Sequence, residues 1–193
     1  MKKIFIFTLL AGTALLFSFK TLEQGNWDLD KAHAKLGFTI THMMVSDVEG
    51  WIKITDAKLT TSKDDFSDAV VELTADMNSI NTDNEKRDGH LKTDAFFDVA
   101  KFPTLTFKSK SFTKVDDKNY KVSGDLTMHG VTKTIEFNAL CRMGMNQKSK
   151  KSIAGFKITG VIKRTDFGVG TSMPSTALSD EVALIANAEF DKQ

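Results

Sequence analysis

The chain has 193 residues, a length typical of one domain with a sizeable core. Its 26 Lys and Arg residues nearly balance its 25 Asp and Glu residues, which leaves a formal charge of +1 at neutral pH. This balance gives no electrostatic reason to expect a nucleic-acid partner, because binding to a phosphate backbone requires a basic patch or stripe.

The N-terminal segment has the pattern of an export signal. Lys2 and Lys3 precede an apolar run at 4–19, as in a signal peptide. The run is shorter than the roughly 20 apolar residues that cross a bilayer. Because no clear cleavage site follows the run, residues 1–19 are predicted to be either a signal peptide or an N-terminal anchor. The domain at 20–193 is then expected to be periplasmic or secreted, and its lone Cys141 cannot form an internal disulfide.

From residue 26 onward, apolar and polar residues alternate in the manner of half-buried β-strands. The alternation is clearest at 35–45, where Leu36, Phe38 and Ile40 share one side. His129 and Gly130 fall where a tight hairpin turn is needed. The predicted strand segments are 26–30, 35–45, 48–59, 69–77, 104–110, 120–128, 131–143, 153–163 and 181–190.

One stretch departs from the alternation and predicts a short helix near residues 83–97. Charged side chains crowd into its first half, and the apolar Leu91 and Ala95 recur at helical spacing. Thr82 and Glu85 have the spacing of a capping box, which would start a helix near residue 83. A single helix in an all-β chain usually closes an edge or an end of a sheet, so we expect it to guard the mouth of the fold.

Alternating strands without a strand–helix–strand repeat predict an all-β antiparallel fold of about eight strands. Such a fold is a sandwich or a closed barrel, and closure is favoured because it leaves no unpaired strand edge. The lumen of a barrel with about eight strands is either filled by side chains or able to hold one small ligand. Inward positions carry both large Phe and small Ala and Gly residues, which is compatible with some empty volume.

A set of ordered motifs resembles the YceI-like family over nearly the whole chain after the leader. The motifs are Trp-Asp-Leu-Asp at 27–30, Phe-Thr-Ile-Thr-His-Met at 38–43, Val-Glu-Gly at 48–50, Arg-Asp-Gly-His-Leu at 87–91, Phe-Phe-Asp at 96–98, Phe-Pro-Thr-Leu-Thr-Phe at 102–107, Gly-Asp-Leu-Thr-Met-His-Gly-Val-Thr-Lys at 124–133 and Arg-Thr-Asp-Phe-Gly at 164–168. The resemblance implies an eight-stranded, lipocalin-like β-barrel that is secreted or periplasmic. It also implies a long isoprenoid lipid in the lumen, with a homodimer as a common assembly.

An isoprenoid tail needs only apolar walls, because it has no hydrogen-bonding groups. Inward-facing residues are therefore predicted to line a tail pocket, and Met suits a deformable tunnel because it is unbranched and polarizable. The predicted tail pocket is Phe38, Ile40, His42, Met44, Leu73, Met77, Phe107, Leu126, Met128, Phe137, Phe156 and Ile158. The alternative is that these side chains pack on one another and fill the barrel.

The helix offers a candidate head-group site in Arg87, Asp88 and His90. Arg can hold a pyrophosphate or a quinone-like head through charge-assisted contacts, and its guanidinium group can form two such contacts with an anion at once. Alternatively, Arg87 and Asp88 tie the helix to the barrel rim by a salt bridge. The overall prediction is an exported carrier of an amphiphilic isoprenoid lipid, such as a polyprenyl phosphate or a quinone-like lipid, with peripheral or transient membrane contact.

Other functions are less well supported by the sequence. His42 with Asp88 or Asp166 could form a hydrolase base and its orienting partner, but no nucleophile elbow or phosphate loop accompanies them. The histidines have no recognised metal spacing, so we expect no metal and no cofactor other than a bound lipid. An exported stress or surface-interaction protein with a filled barrel is the remaining alternative.

Overall fold

The computed structural model describes residues 25–193 and forms a closed antiparallel barrel. Its strands are β1 (Gly25–His42), β2 (Ser46–Thr61), β3 (Val70–Asn81), β4 (Thr104–Lys114), β5 (Asn119–Met128), β6 (Val131–Met145), β7 (Ser152–Lys163) and β8 (Leu178–Lys192). Each strand pairs with the next, and β8 closes the barrel by pairing with β1. The predicted eight-stranded barrel is therefore confirmed.

β1 is one long strand where the sequence pattern predicts two. Its pairing with β2 shifts register between Asp28 and Lys35, and its pairing with β8 shifts between Asp30 and Lys35. Such a bulge bends a strand and helps a sheet to curl into a barrel. The interruption in the alternation thus marks a bulge and not the end of a strand.

The turns of this up-and-down barrel alternate between its two ends. Four connections, β1–β2, β3–β4, β5–β6 and β7–β8, lie at one end, together with the helix α1 (Glu85–Leu91) and the 3₁₀ helix Arg164–Phe167. We call this the α1 end. The other three connections lie at the opposite end, which we call the far end.

The helix α1 is shorter than predicted and has a different cap. Asn84 is the N-cap, and its side-chain oxygen accepts a hydrogen bond from the backbone N–H of Arg87 at 3.0 Å. The prediction that Thr82 caps the helix is wrong, because the hydroxyl of Thr82 is engaged by side chains of α1 instead. The rest of the predicted helix, 92–97, forms turns in which the N–H of Phe97 donates to the carbonyl of Leu91.

Aromatic side chains close the lumen at the far end. Phe66, in the β2–β3 connection, is 2% exposed. The centroid of its ring lies 5.3 Å from that of Trp27 and 5.5 Å from that of Phe156. Phe112 and Phe190 pack on Phe156 in edge-to-face geometry, at 5.9 and 6.1 Å. Because such pairs add roughly 0.5–1.5 kcal/mol beyond the area they bury, they hold this end shut.

The predictions of a membrane anchor and of export depend on the N-terminal segment and not on the barrel. Within residues 25–193, no helix combines the length and the apolar composition needed to cross a membrane. The predicted leader at 1–19 lies outside the residues that the structure describes. Its role as a signal peptide or an anchor, and the periplasmic or secreted location, stay predictions.

Candidate functional site: a two-chamber lumen

A cavity of about 290 Å³ lies in the lumen at the α1 end. It has a mouth, because the side chains of His42, Arg87, His90 and Met173 around it are exposed to solvent. Deeper in the barrel its walls are apolar. We call this space the upper cavity.

A second cavity, of about 90 Å³, lies between the upper cavity and the aromatic cluster of the far end. Apolar side chains alone line it. Leu36, Leu105 and Leu184 border both cavities, so these three side chains form the boundary between them. We call the second space the lower cavity and the boundary the leucine neck.

The structure brings most of the predicted tail-pocket residues to these two spaces. Phe38, Ile40, His42 and Met128 line the upper cavity, and Leu73, Phe107, Leu126, Phe137, Phe156 and Ile158 line the lower cavity. They converge because alternate residues of every strand point into a closed barrel. The lumen is thus not completely filled by its own side chains, although its role in binding a tail stays a prediction.

Met44 and Met77 line neither cavity. The inward position predicted for Met44 is wrong, since β1 ends at His42 and Met44 lies in the following turn, with a φ of 58° and 73% of its surface exposed. Met77 is 1% exposed and belongs to the solid part of the core. Strand parity separates inward from outward positions, but it does not separate packed side chains from those that border a void.

Three phenylalanine rings of the lumen lie against glycines, which leaves room for the cavities. A Cβ atom on Gly160 would overlap the ring of Phe137, so the missing side chain allows the ring to lie flat on the wall. The pairs are Gly50 with Phe38, Gly124 with Phe107, and Gly160 with Phe137. Gly50 therefore accommodates the ring of Phe38, its partner in the pairing of β1 with β2.

The head-group candidates of α1 meet at Thr82, a buried residue just after β3. The Nε and Nη2 groups of Arg87 donate to the hydroxyl and the carbonyl of Thr82, each at 2.7 Å. Asp88 Oδ1 accepts from the backbone N–H of Thr82 at 2.9 Å and from its hydroxyl at 2.5 Å. Arg87 and Asp88 thus tie the helix to the residue after β3 by hydrogen bonds to Thr82, where the alternative interpretation had a salt bridge to the barrel rim.

Arg87 and His90 border the upper cavity, whereas Asp88 does not. Among the described residues, no hydrogen bond engages the Nη1 group of Arg87, so this group can receive an acceptor from a ligand. The ring of His90 packs edge-on against Phe96 at 5.0 Å. Asp88 therefore holds the helix in place, and Arg87 and His90 are the residues positioned to meet a polar head.

Arg164 also borders the upper cavity, although it is absent from the site residues predicted from the sequence. Its side chain is 4% exposed and donates five hydrogen bonds of 2.5–3.0 Å to backbone carbonyls. The acceptors are the carbonyls of Val169, Gly170, Met173, Leu178 and Ser179. No carboxylate of the described residues forms a salt bridge with it.

Two consequences follow from this arrangement of Arg164. It fixes the connection at 168–177, which we call the rim loop, beside the mouth of the upper cavity. It also brings a buried positive charge to the cavity wall while its N–H groups are already satisfied by the protein. One signal in the sequence could have identified it, since Arg164 continues the inward parity of Ile162 directly after β7 ends at Lys163.

The alternative catalytic pair does not assemble among the described residues. His42 is exposed at the mouth, and no hydrogen bond joins its ring to Asp88 or Asp166. The carboxylate of Asp88 is already engaged by Thr82. A general base needs an orienting partner and a nucleophile within hydrogen-bond reach, and this geometry provides neither.

One group with the composition of a metal site lies outside the lumen. Asp30, His33 and Glu189 offer ligand atoms within 4.8 Å of one another at the β1 bulge. The Nδ1–H of His33 donates to Asp30 Oδ2 at 2.8 Å, and this hydrogen bond raises the pKa of His33. Sequence spacing could not show this group, because Glu189 comes from β8.

Comparisons with known proteins agree with the fold and with the sequence motifs. The family model described as YceI-like domain matches residues 27–190. A UPF0312 protein of Staphylococcus aureus (strain N315) is 35% identical over 173 residues, which cover 86% of this chain and 96% of that protein.

Two solved structures share the barrel. A Campylobacter jejuni YceI protein superposes with a TM-score of 0.69 at 35% identity, covering 86% of this chain and 96% of that chain. A Saccharophagus degradans domain, described as a polyisoprenoid binding domain implicated in plant cell wall breakdown, has a TM-score of 0.63 at 17% identity, covering 86% of this chain and 98% of that chain. At this low identity, the second likeness shows a common fold alone.

Proposed function

Since this chain belongs to the YceI-like family, we propose that it is a binding or carrier protein for an amphiphilic isoprenoid lipid, with the tail in the lumen and the head at the α1 end. The observation that carries the proposal is the pair of apolar cavities behind a mouth with cationic groups. A neighbour of the same fold is described as polyisoprenoid binding, which supports this class of ligand.

The apolar walls suit a prenyl chain better than a polar ligand. Burying apolar surface stabilises a complex by roughly 25 cal/mol per Å². A polar group that finds no hydrogen-bond partner is penalised, and the lower cavity has no polar side chain to offer. A row of methyl-branched units has no polar group and avoids this penalty, so it can use the whole depth of the lumen.

The cavity volumes define which chain lengths fit without rearrangement. Because an apolar cavity of roughly 150 Å³ binds benzene, the upper cavity of about 290 Å³ accommodates roughly a dozen carbon atoms, or about two isoprene units. A longer chain must pass the leucine neck and occupy the lower cavity. A chain that exceeds both spaces requires wall side chains to move.

The mouth suits an anionic or strongly polar head. Arg87 presents its Nη1 group, and Arg164 adds positive potential from within the wall. A phosphate at the mouth would accept hydrogen bonds from Arg87 and remain partly hydrated, which avoids the cost of burying a charge. We therefore favour a prenyl phosphate over an uncharged prenyl alcohol.

The direct test is organic extraction and mass spectrometry of lipid from the full chain purified from its own host. We expect an isoprenoid in the wild-type protein and a loss of it in Phe137→Asp, whose carboxylate would lie in the lower cavity. Gln147→Asp, in the exposed β6–β7 connection, adds the same single negative charge and is the control. If a folded wild-type protein retained no isoprenoid and bound none when prenyl phosphates were added, the proposal would be wrong.

Export and assembly are part of the proposal. We propose that the domain acts in the periplasm or outside the cell as a homodimer. Cell fractionation with N-terminal sequencing measures the location and any cleavage, and light scattering coupled to gel filtration measures the mass of the assembly. A full-length monomer in the cytoplasmic fraction would contradict both statements.

A further inference from the structure

The β1–β2 turn exposes three consecutive apolar side chains at the α1 end. Met43, Met44 and Val45 are 54, 73 and 85% exposed. Met43 and Met44 both have positive φ, at 53° and 58°, in a turn closed by a hydrogen bond from the Val45 N–H to the His42 carbonyl. Asn and Gly are preferred at such positions, so neither the turn geometry nor packing explains why these residues are apolar.

The turn is continuous with the mouth of the upper cavity. The N–H of Met43 donates to the carbonyl of Ala177 in the rim loop at 2.9 Å. His42 and Val48, on either side of the turn, border the cavity, and so does the half-exposed Met173 of the rim loop. An apolar path therefore leads from the tip of the turn into the lumen.

The turn and the rim loop form an uncharged side of the α1 end, whereas the ionisable side chains of this end lie mainly in the β3–β4 connection with α1. Neither the turn at 43–46 nor the rim loop contains an ionisable side chain. Each of the three connections at the far end, 62–69, 115–118 and 146–151, contains at least three. An uncharged apolar tip is complementary to the interfacial and acyl layers of a bilayer, where a charged loop would be desolvated at a cost.

We infer that the Met43–Met44–Val45 turn inserts into the surface of a lipid bilayer and holds the mouth of the upper cavity against it. This inference rests on the proposed function for its purpose, since a carrier has to load from a membrane or unload into one. The binding does not depend on anionic lipid, because no basic residue lies in the turn or in the rim loop, and acidic residues outnumber the Lys and Arg residues of the β3–β4 connection at 82–103. Met side chains suit this contact because they are flexible and adapt to an irregular surface.

Flotation with ligand-free phosphatidylcholine vesicles tests the inference. The variant Met43→Ser/Met44→Ser/Val45→Ser is expected to bind these vesicles at least about tenfold more weakly than the wild-type protein, because each buried CH₂ strengthens membrane binding. Equal binding of the variant and the wild type, or no binding of the wild type, would overturn the inference.

The chain offers a control with the same residue types. Val115→Ser/Met143→Ser/Met145→Ser removes one Val and two Met residues that are 62, 56 and 55% exposed. They lie at the far end of the barrel, in the β4–β5 connection and in the last residues of β6. This variant is expected to bind vesicles as the wild type does. An equal loss in both variants would show that general surface apolarity is responsible, and would overturn the inference.

A labelled variant provides a measurement that does not depend on losing the turn. Met44→Cys can be labelled selectively with an environment-sensitive fluorophore, because Cys141 is 5% exposed. Its emission is expected to shift to the blue when vesicles are added, whereas the same label on Val115→Cys does not shift. If the emission of the fluorophore at position 44 still indicated an aqueous environment while the protein was bound to vesicles, the inference would be overturned.

Two further measurements separate the possible failures. If the Ser variant of the turn changes the mass of the assembly in light scattering, the turn is a subunit interface and the inference is wrong. Binding of a soluble prenyl phosphate, measured without vesicles, is expected to be unchanged in that variant. If the wild type bound no prenyl phosphate but bound vesicles through the turn, the proposed function would fail and the membrane contact would stand.

Discussion

Gly160→Ala is expected to shorten the space available to a bound chain. Gly160 lies on the inward side of β7, and a Cβ atom there would overlap the ring of Phe137. The strand is held on both sides by β6 and β8, so the ring has to move rather than the backbone. The unfilled space that Phe137 borders is the lower cavity, and the displaced ring should occupy it.

The effect on affinity follows from the volume of the lower cavity. By the benzene comparison, about 90 Å³ holds roughly three to four carbon atoms of a chain. At about 0.8 kcal/mol for each buried CH₂, excluding these atoms weakens binding by up to about 3 kcal/mol, which is roughly 100-fold. A chain that ends above the leucine neck loses nothing.

Competition with a fluorescent prenyl analogue measures this difference. Farnesyl phosphate, whose three isoprene units match the upper and lower cavities together, is expected to lose affinity in Gly160→Ala, whereas geranyl phosphate keeps it. Gly144→Ala is the matched control, because a Cβ atom on Gly144 meets no atom within 4 Å. Equal losses for the two ligands, or no loss for the longer one in a folded variant, would refute the two-chamber account of chain length.

Three further substitutions test the mouth, the rim loop and the far end. Arg87→Ala is expected to weaken geranyl phosphate by about tenfold or more while sparing geraniol, because a hydrogen bond to a charged group contributes roughly 1.5–3 kcal/mol; equal effects on both ligands in the competition assay would exclude a head-group contact. Arg164→Met leaves buried carbonyls without donors and is expected to lower the free energy of unfolding by about 3 kcal/mol or more in urea titrations; a change below about 1 kcal/mol would contradict the role given to its hydrogen bonds. Partial burial favours a raised pKa for Asp68, but hydrogen bonds from Ser62 and Thr61 outweigh this effect and lower the pKa from 3.8 to about 2. The stabilisation from Asp68 is therefore present above pH 3.8 and is lost as the pH falls through about 2. In Asp68→Asn the melting temperature should depend less on pH in that range, and an unchanged pH dependence would contradict this role of Asp68.

The sequence predicts the barrel and most of its lumen because strand geometry imposes a strict period of two. Phe38 and Ile40, or Phe156 and Ile158, point inward together wherever the ladder is regular. The same rule fails where the ladder ends, as the turn at Met44 shows. Met has no preference for turns, so the residue type at position 44 does not predict a positive φ.

Side-chain contacts with irregular stretches of backbone are the part that the sequence did not show. Thr82 has the spacing of a helix cap, yet it serves as the common partner of Arg87 and Asp88. Arg164 is stabilised by carbonyls of the rim loop, which has no regular periodicity from which its path could be predicted. Such contacts depend on how the chain folds back on itself, and residue spacing does not encode that path.

The distribution of polar groups in the lumen dictates which way an amphiphile must lie. A phosphate at the far end would meet only apolar side chains and the rings of Phe156 and Phe190, and it would lose its hydration without gaining a donor. At the α1 end the same phosphate reaches Arg87 and remains in contact with water. A tail pointing into the barrel and a head at its mouth is therefore the orientation with the lower free energy, and it leaves the head on the same side as the Met43–Met44–Val45 turn.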